Sequence, residues 1–567
     1  MRPFTWLLAL SVPTGVWAAG INIAADVNRD GVVDFARDAP GKAQWSWERG
    51  AVFLNNNDSD ANSGQPDHAD DVVNDAADLA DLAPILIQRL SSMEPGSVLS
   101  VGVNPSAAPY IKLFAGGSAG WQPLNSNGSN VLDAALLAVG DIELRIEANS
   151  YALPAWDGQV DVTATLVPPG GQSVSDTVRL RVAPWLMLGH SRPATQVYLR
   201  EYIGQNDVMR GQLQAILPGI GSSLVVSPQS DPYPSNNIWM QDAMEIGYSE
   251  MPGRRMNVVL KSNRGPSWPL SNYPKDELLG RDFGWFQIGD YRSSFAVGSA
   301  PDGWLDWFGN LEVTPPIIGH PFGRAYYGWN PESGQGLDPR IVGMIDAQNL
   351  QAPALKLDVG WLLIQHVDEL VCWVPAADGG WRILVPDTRV MYQLLDEWVA
   401  AGYTSQPMMR LYEPTESVGA FRNDATDRAR NLALQSRRID PVIEAMKSAW
   451  GLTEAQVIRV PSAFYSNGGA YVPSMVNALV VNGAILVADP HGPEPDGADL
   501  MQAHFRESLA AAGVELAVHF LDDQRYHRWS GNVHCATNAR REAYDPGVWA
   551  SLTVEPASSD SENWMLR

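Results

Sequence analysis

The chain has 567 residues but only two cysteines, Cys372 and Cys535, and nine histidines. So few thiols exclude a disulfide-stapled scaffold and leave room for at most one bridge. No Cys-x-x-Cys pair and no His-Glu-x-x-His run occurs, so the usual zinc spacings are missing. Positive charge is scarce as well: 39 Lys and Arg stand against 64 Asp and Glu, a formal net charge of −25. So acidic a surface argues against nucleic acid or an anionic membrane as a partner and suits cations and basic peptides. No run after the first residues approaches the ~18 continuous apolar residues of a membrane helix.

What is present begins with Arg2, an apolar segment from Phe4 to Val12, and the small-residue end Val16-Trp17-Ala18-Ala19. This is the pattern of a secretory signal peptide over residues 1–19. The mature chain is then expected to start near Ala19 or Gly20 and to be secreted or periplasmic. Its length implies two or more domains, and 21 tryptophans with 45% hydrophobic residues supply their cores.

Residues 20–182 read as short alternating strands with turn punctuation. Asp141 to Ile146, Gln159 to Val167, a Pro168-Pro169-Gly170-Gly171 turn and Asp176 to Val182 predict a β-sandwich. Between Ala69 and Ser92 the apolar residues Val72, Val73, Leu79, Leu82, Ile85, Leu86 and Leu90 recur at roughly helical spacing, which predicts a helix divided at Pro84. Ala183-Pro184-Trp185 marks the junction. From 186 to 567, strand-like runs such as Met256 to Leu260 alternate with helical segments at Arg210 to Leu217, Val390 to Ala401, Asp440 to Trp450 and Asp499 to Ala512. Mixed units of this kind predict one α/β domain. No internal repeat stands out.

Three segments carry chemistry. Val533-His534-Cys535-Ala536-Thr537-Asn538 sets a cysteine among polar side chains after a Ser530-Gly531-Asn532 turn, which predicts a thiol at a loop end within reach of solvent. The apolar run Gly360 to Ile364 leads to Gln365-His366-Val367-Asp368-Glu369, and a strand there would put His366 and Asp368 on one face. Trp239-Met240-Gln241-Asp242-Ala243-Met244-Glu245 adds another carboxylate. A thiolate nucleophile, an acid/base and two carboxylates are the parts needed to attack a cationic carbon. Other readings stand beside this one: a Cys372–Cys535 disulfide, a metal held by His366, Asp368 and His534, or ordinary buried side chains. Cys372, inside Leu370-Val371-Cys372-Trp373-Val374, reads as a buried thiol.

These segments, with Gly309-Asn310-Leu311-Glu312-Val313 and Met475-Val476-Asn477, resemble in order and spacing the blocks of the protein-arginine deiminases. The resemblance runs from about Ile21 to Glu542 and takes in Asp26 to Asp60 and Arg181-Val182-Ala183-Pro184-Trp185. It is closest to a secreted bacterial-type member, without a counterpart of the extra N-terminal domain of the vertebrate enzymes. It implies an immunoglobulin-like β-sandwich over 20–182, then a pentein catalytic domain over 186–567: a fan of five ββαβ units with the active site in its central funnel. By the same resemblance Cys535 attacks the guanidinium carbon, Asp242 and Asp368 grip the guanidinium, and His366 protonates the departing ammonia and then activates water. Trp239 matches the aromatic along the arginine stem. Arg264 looks like the arginine that holds the substrate's peptide backbone, although Ser262 stands where a second arginine is expected. The substrates implied are arginine-containing peptides or proteins, and the resemblance admits a homodimer. A deiminase of free arginine or agmatine, and a non-catalytic calcium-dependent binding protein, are the alternatives.

Calcium is the expected cofactor. Asp26-Val27-Asn28-Arg29-Asp30-Gly31-Val32-Val33-Asp34 places oxygens at alternate positions before a glycine turn, as a calcium loop opens, but Arg37 stands where an EF-hand has its closing Glu. Asn55 to Asp60, Asp67, Asp70 and Asp71 are further oxygens near in sequence. The resemblance implies a second site made by side chains of Gln241, Glu245 and Glu312 with main-chain oxygens of Phe308 and Leu311. Ala243 replaces an acidic ligand of a neighbouring family site, which implies fewer ions or weaker dependence on them.

Overall fold

The computed structural model describes residues 20–547 apart from 92, 119, 230–236, 293–302 and 413–414; the expected signal peptide, 1–19, lies outside them. The chain divides into two compact units. The first takes residues up to Val52, then Ala83–Ile146 and Val160–Arg181; the second takes Phe53–Leu82, Glu147–Gln159 and everything from Val182. Two segments of the stretch read as sandwich, 53–82 and 147–159, thus group with the second unit.

The first unit is built on two five-stranded sheets. One runs Ile23–Ala25, Ala83–Ile87, Ile142–Ala148, Ile111–Gly117, Gly120–Leu124; the other runs Ala51–Phe53, Val174–Val182, Gln159–Val167, Val98–Val103, Asn130–Leu132. Period-two patterning decides which face is buried. Along Gln159–Val167 the residues Val160, Val162, Ala164 and Leu166 are buried and their neighbours are not. The helix expected across 69–92 is a correction. Only Ala76–Asp81 is helical, and Ala83–Ile87 is a strand with alternating burial that pairs with Ile23–Ala25 and Ile142–Ala148. Leu82, Ile85 and Ile87 satisfy a strand as well as a helix, and Pro84 cannot continue a helix begun at Ala76.

The second unit repeats one connectivity five times: two antiparallel strands, a crossover, and a third strand parallel to the second. Met244–Met251, Arg254–Lys261 and Phe283–Gln287 form one such set. Leu311–Val313, Ala325–Asn330 and Leu355–Asp358 form the next, with helix Pro339–Gln348 in the crossover. Cys372–Pro375, Trp381–Asp387 and Val457–Pro461 follow, crossing over through Thr388–Ala400 and Asp440–Trp450. Leu479–Val481, Ala484–Ala488 and Ala517–Leu521 follow with helix Leu500–Ala511. In the fifth set the late strand Thr537–Arg541 pairs antiparallel with Ala194–Arg200, which leads through helix Asp207–Ile216 to the parallel strand Ser223–Ser227. The chain's end therefore completes the unit that its beginning opened. A parallel pair needs a long crossover, and apolar stripes such as Met391, Tyr392, Leu394, Leu395 and Trp398 seat these helices on the sheets. The repeat is unmistakable in hydrogen bonding although the sequence hides it. No described helix is long and apolar enough to cross a membrane.

Candidate active site

Each of the five units turns a residue inward just before its first strand. Gln241–Ala243 leads into Met244–Met251, Phe308–Asn310 into Leu311–Val313, Val367–Glu369 into the strand at Cys372, Asn477 lies two residues before Leu479, and Val533–Ala536 runs into Thr537–Arg541. Asp242, Gly309, Asp368, Asn477 and Cys535 thereby occupy comparable places, and hydrogen bonds join Asp368, Asn477 and Cys535. His366 and Asp368 are not on a strand. His366 caps a short 3-10 turn that carries Asp368 and both are buried, so the turn does what strand alternation was expected to do.

Cys535 is also buried rather than at an open loop end, but it lines a pocket of about 370 Å³ with Trp239, Asp242, Trp268, Trp304, Trp307, Ile364, His366, Trp529, Ser530 and Gly531. Its thiol donates to Asp368 Oδ2 at 3.3 Å and accepts from Asn477 Nδ2 at 3.2 Å. Asn477 Oδ1 in turn accepts the Cys535 N–H at 3.1 Å, and its Nδ2 also donates to the Asp368 carbonyl at 3.2 Å. Burial, and then the charges of Asp368, Asp242 and Glu369, push the Cys535 thiol well above its ordinary pKa. Burial and the neighbouring carboxylates both disfavour the thiolate, and a positive charge brought beside the sulfur would favour it.

His366 Nε2 lies 2.9 Å from the Trp304 carbonyl, which can only accept; Nε2 must carry the proton there. The other nitrogen, Nδ1, faces Asp242 Oδ1 at 3.5 Å. Gly309 explains why the reactive atoms can converge. A methyl group at its Cα would stand 2.5 Å from His366 Nδ1, 3.1 Å from Asp242 Oδ1 and 3.2 Å from Asp368 Oδ2. Only glycine leaves that space free. Burial raises the Asp242 pKa, opposed by His366 and Arg264.

Arg264 lies against two of the tryptophans that line the pocket. Its side chain is fully enclosed, with the guanidinium 4.7 Å over Trp268, 4.3 Å over Trp307 and 3.9 Å from Asp242. It stands as a counter-ion of Asp242, with its Nε and one terminal nitrogen buried and without a hydrogen-bond partner. Trp239 does line the pocket, held by Gly531, where any Cβ would come within 2.4 Å of its ring.

Two groups of oxygens suit a hard cation. In the first, Gln241 Nε2 donates to Glu245 Oε1 at 2.6 Å and to the Phe308 carbonyl at 3.2 Å, and Asn538 donates to Gln241 Oε1 at 3.0 Å. Glu312 Oε1 is buried without a hydrogen-bond partner. Burial raises Glu245 well above the carboxylate range and Glu312 to about 8. Buried carboxylates at that cost fit an absent cation. In the second, Asp58, Asp60 and Asp81 bring carboxylate oxygens within 4.8 Å of one another. Burial raises Asp58 to about 8, Asp67 to about 7 and, despite Arg254, Asp81 to about 6. Buried oxygens of Asn55, Asn56, Asn57, Asp58 and Asp60 have no hydrogen-bond partner. Asp81 went unnoticed in the sequence because it lies inside the short helix, yet its spacing of three from Asp78 was a signal. The loop Asp26–Asp34 spends its oxygens locally: Asp26 accepts the N–H groups of Asp30 and Gly31, Asn28 donates to Asp30, Asp30 pairs with Arg37, and Asp34 accepts from Ala36 and Arg37.

Both cysteines are free, and no other group of three or more His, Cys, Asp or Glu ligands converges among the described residues. The disulfide and the metal read from His366, Asp368 and His534 are thereby set aside. Asn477 and Gly309 are the functional residues the sequence reading left without a role, although both stood inside the quoted blocks.

A thiol, an imidazole and two carboxylates thus meet at an aromatic pocket, a set of groups that suits a hydrolase acting on guanidino C–N bonds. The protein-arginine deiminase family model matches residues 172–550, and the model of that family's middle domain matches 19–118. The chain belongs to the protein-arginine deiminase family. Protein-arginine deiminase type-4 of Mus musculus is 28% identical over 580 residues, covering 95% of this chain and 84% of its own. Type-1 of Homo sapiens is 29% identical over 576 residues, covering 95% and 83%. Among solved structures, C. jejuni agmatine deiminase superposes on 64% of this chain and 98% of its own, at 11% identity and a TM-score of 0.38.

Proposed function

We propose that the chain is an exported, calcium-dependent deiminase that converts arginine within polypeptides to citrulline and ammonia. The observation that carries this reading is the tryptophan-lined pocket that Cys535 shares with Asp242 and His366, with Asp368 Oδ2 hydrogen-bonded to the Cys535 thiol. A guanidinium there would meet two carboxylates with paired, charge-assisted hydrogen bonds, and its stem would lie along tryptophan faces. Its positive charge would offset what holds the thiol protonated. The thiol proton passes to His366, Cys535 Sγ bonds to the central carbon, and the imidazolium returns that proton to the leaving nitrogen as the carbon–nitrogen bond breaks and ammonia departs. Water, losing a proton to His366, opens the thiouronium at the same carbon, and the thiol leaves with citrulline formed.

Calcium, where bound, would supply charge balance and order to the acidic groups. Gln241, Glu245 and Glu312 with the Phe308 and Leu311 carbonyls would hold one ion; Asp58, Asp60 and Asp81 would hold another. The Asp26–Asp34 loop is a weaker candidate because its oxygens already have partners. Within the same reading, the first unit is the immunoglobulin-like sandwich and the five repeats fan around the site as in the pentein fold.

The test is citrulline formation from a blocked arginyl peptide, with calcium or with chelator, for wild type and Cys535→Ala. Product from wild type alone supports the reading, and loss under chelator supports the calcium requirement. Product from free arginine or agmatine but not from the peptide would select the small-substrate alternative. No product from any of them would leave a binding role. Sequencing the N-terminus of the protein recovered outside the cytoplasm tests export, with Ala19 or Gly20 expected first.

A further inference from the structure

One imidazole joins the catalytic carboxylate to the carboxylate of the Gln241, Glu245 and Glu312 group. His534 Nδ1 lies 3.0 Å from Asp368 Oδ2, the oxygen that also accepts from the Cys535 thiol. His534 Nε2 lies 3.4 Å from Glu312 Oε1. The backbone that carries the ring is held by the His534 main-chain N–H, which donates to the Asn477 carbonyl at 3.2 Å, and Asn477 also holds Cys535. His534 is buried, so neither carboxylate finds water in its place. The oxygen facing Nε2, Glu312 Oε1, has no hydrogen bond of its own and is free to take another partner. A cavity of about 10 Å³ lies against the ring and the Glu312 carboxylate, bounded also by His190, Tyr326, Asp368 and Cys372.

We propose that His534 is a positioning residue that couples cation binding at Glu312 to the arrangement of Asp368 and Cys535. This rests on the calcium reading given above. The Nε2 side of the ring and a divalent cation compete for Glu312 Oε1. Without the cation His534 is shared between two carboxylates. With Glu312 taken by the cation, the ring serves Asp368 alone. Coupling of this kind is reciprocal: whatever His534 contributes to holding Glu312 is subtracted from the affinity of the cation. The sign is the distinctive part, because a substitution that merely loosened the site would weaken cation binding.

The experiment is calcium titration by calorimetry in a Cys535→Ala background, comparing His534→Gln, Glu312→Gln and the double variant. The Glu312-dependent calcium affinity is expected to rise about fivefold or more in His534→Gln, and the effect is expected to vanish when Glu312 is also replaced. In the Cys535 enzyme at saturating calcium, His534→Gln should lower kcat more than it raises KM. Should His534→Gln not fold, His534→Phe keeps the ring's volume and is expected to give the same sign. Unchanged or weaker affinity in a folded His534 variant overturns the coupling while leaving the calcium reading in place. Absence of any Glu312-dependent calcium binding in the parent overturns the calcium reading at this site, and the coupling with it.

Discussion

Cys535 and Cys372 are the same residue type, both buried, both free, and both raised in pKa first by burial. What separates them is what lies on their far side. Cys535 opens on a pocket of about 370 Å³, between an amide donor and a carboxylate acceptor. Cys372 faces a cavity of about 10 Å³, with its sulfur 3.7 Å from His190 Nδ1 and 3.6 Å from the Ala478 carbonyl. On the proposed reading, a cysteine becomes a nucleophile here through the void beside it and the charge that void can admit, not through exposure or a low resting pKa. The largest expected consequence is in turnover. Cys535→Ala should abolish citrulline formation, a loss of about 10⁴-fold or more, whereas Cys372→Ala should stay within about tenfold of wild type once folded. Equal losses in steady-state assays would erase the distinction.

The void itself can be tested without touching either sulfur. Gly309→Ala would drive a methyl group to 2.5 Å from His366 Nδ1. A drop in kcat/KM of about 10²-fold or more is expected, with circular dichroism near wild type, since small misplacements at a reacting centre cost that much. Retained activity would mean that His366 and the two carboxylates need not hold these positions. Asn477→Ala should cost less, about 10- to 100-fold, because it removes the donor that aims the thiol but leaves both carboxylates; a crystal structure of the variant should show the Cys535 side chain rotated.

The two thiols also explain how much could be read from the chain. Polar neighbours singled out Cys535, and the apolar run singled out Cys372, because both signals are local. Gly309 and Asn477 carried no such signal: glycine announces only permissiveness, and an asparagine's use depends on what the fold brings opposite it. The five ββαβ repeats were hidden for a similar reason. Their strands share hydrogen-bonding pattern and burial, which many apolar residues satisfy, while the crossovers differ from a single helix at Asp207–Ile216 to several between Trp381–Asp387 and Val457–Pro461. Acidic stretches were legible as oxygens but not as sites. Asp26–Asp34 and Asp58–Asp60 look alike in composition, yet the first fills its acceptors with its own backbone and Arg37, and the second leaves buried oxygens open. Backbone geometry decides that, and composition does not encode it.

Reactivity sharpens the comparison at the level of charge. Because the Cys535 pKa is raised well above its ordinary value, its alkylation by neutral iodoacetamide should be slow at pH 7 and should climb as pH rises past 9, without a plateau near neutrality. The sign follows from the causes: burial and carboxylates disfavour the anion, so proton loss needs higher pH. A cationic haloacetamidine brings the missing charge and should react about tenfold faster or more at pH 7. Cys372, pushed above the accessible range by burial and walled off, should be labelled by neither reagent until the protein unfolds. A neutral-pH plateau at Cys535 would mean that the thiolate exists before substrate arrives.

Stability gives the smallest and opposite contrast. Cys372 sits on the strand Cys372–Pro375 and packs into a cluster with Val374, Leu384, Ile458, Met475 and Val476. Trimming it to alanine removes one buried sulfur and leaves a gap, which should lower unfolding free energy by about 1–2 kcal/mol in chemical denaturation. Cys535 also packs in a cluster, beside Leu486 and Ala536, but its thiol is pressed against Asp368 in a site that Asp242, Asp368 and Glu369 make negative. Removing it forfeits some packing and relieves that crowding, so Cys535→Ala should melt within about 0.5 kcal/mol of wild type or above it. The residue whose loss ends turnover is then the one the fold can best spare, because the arrangement that prepares a thiol for a cationic carbon is strained until that carbon arrives. A Cys535→Ala protein less stable than Cys372→Ala would show that the site is held together by its nucleophile.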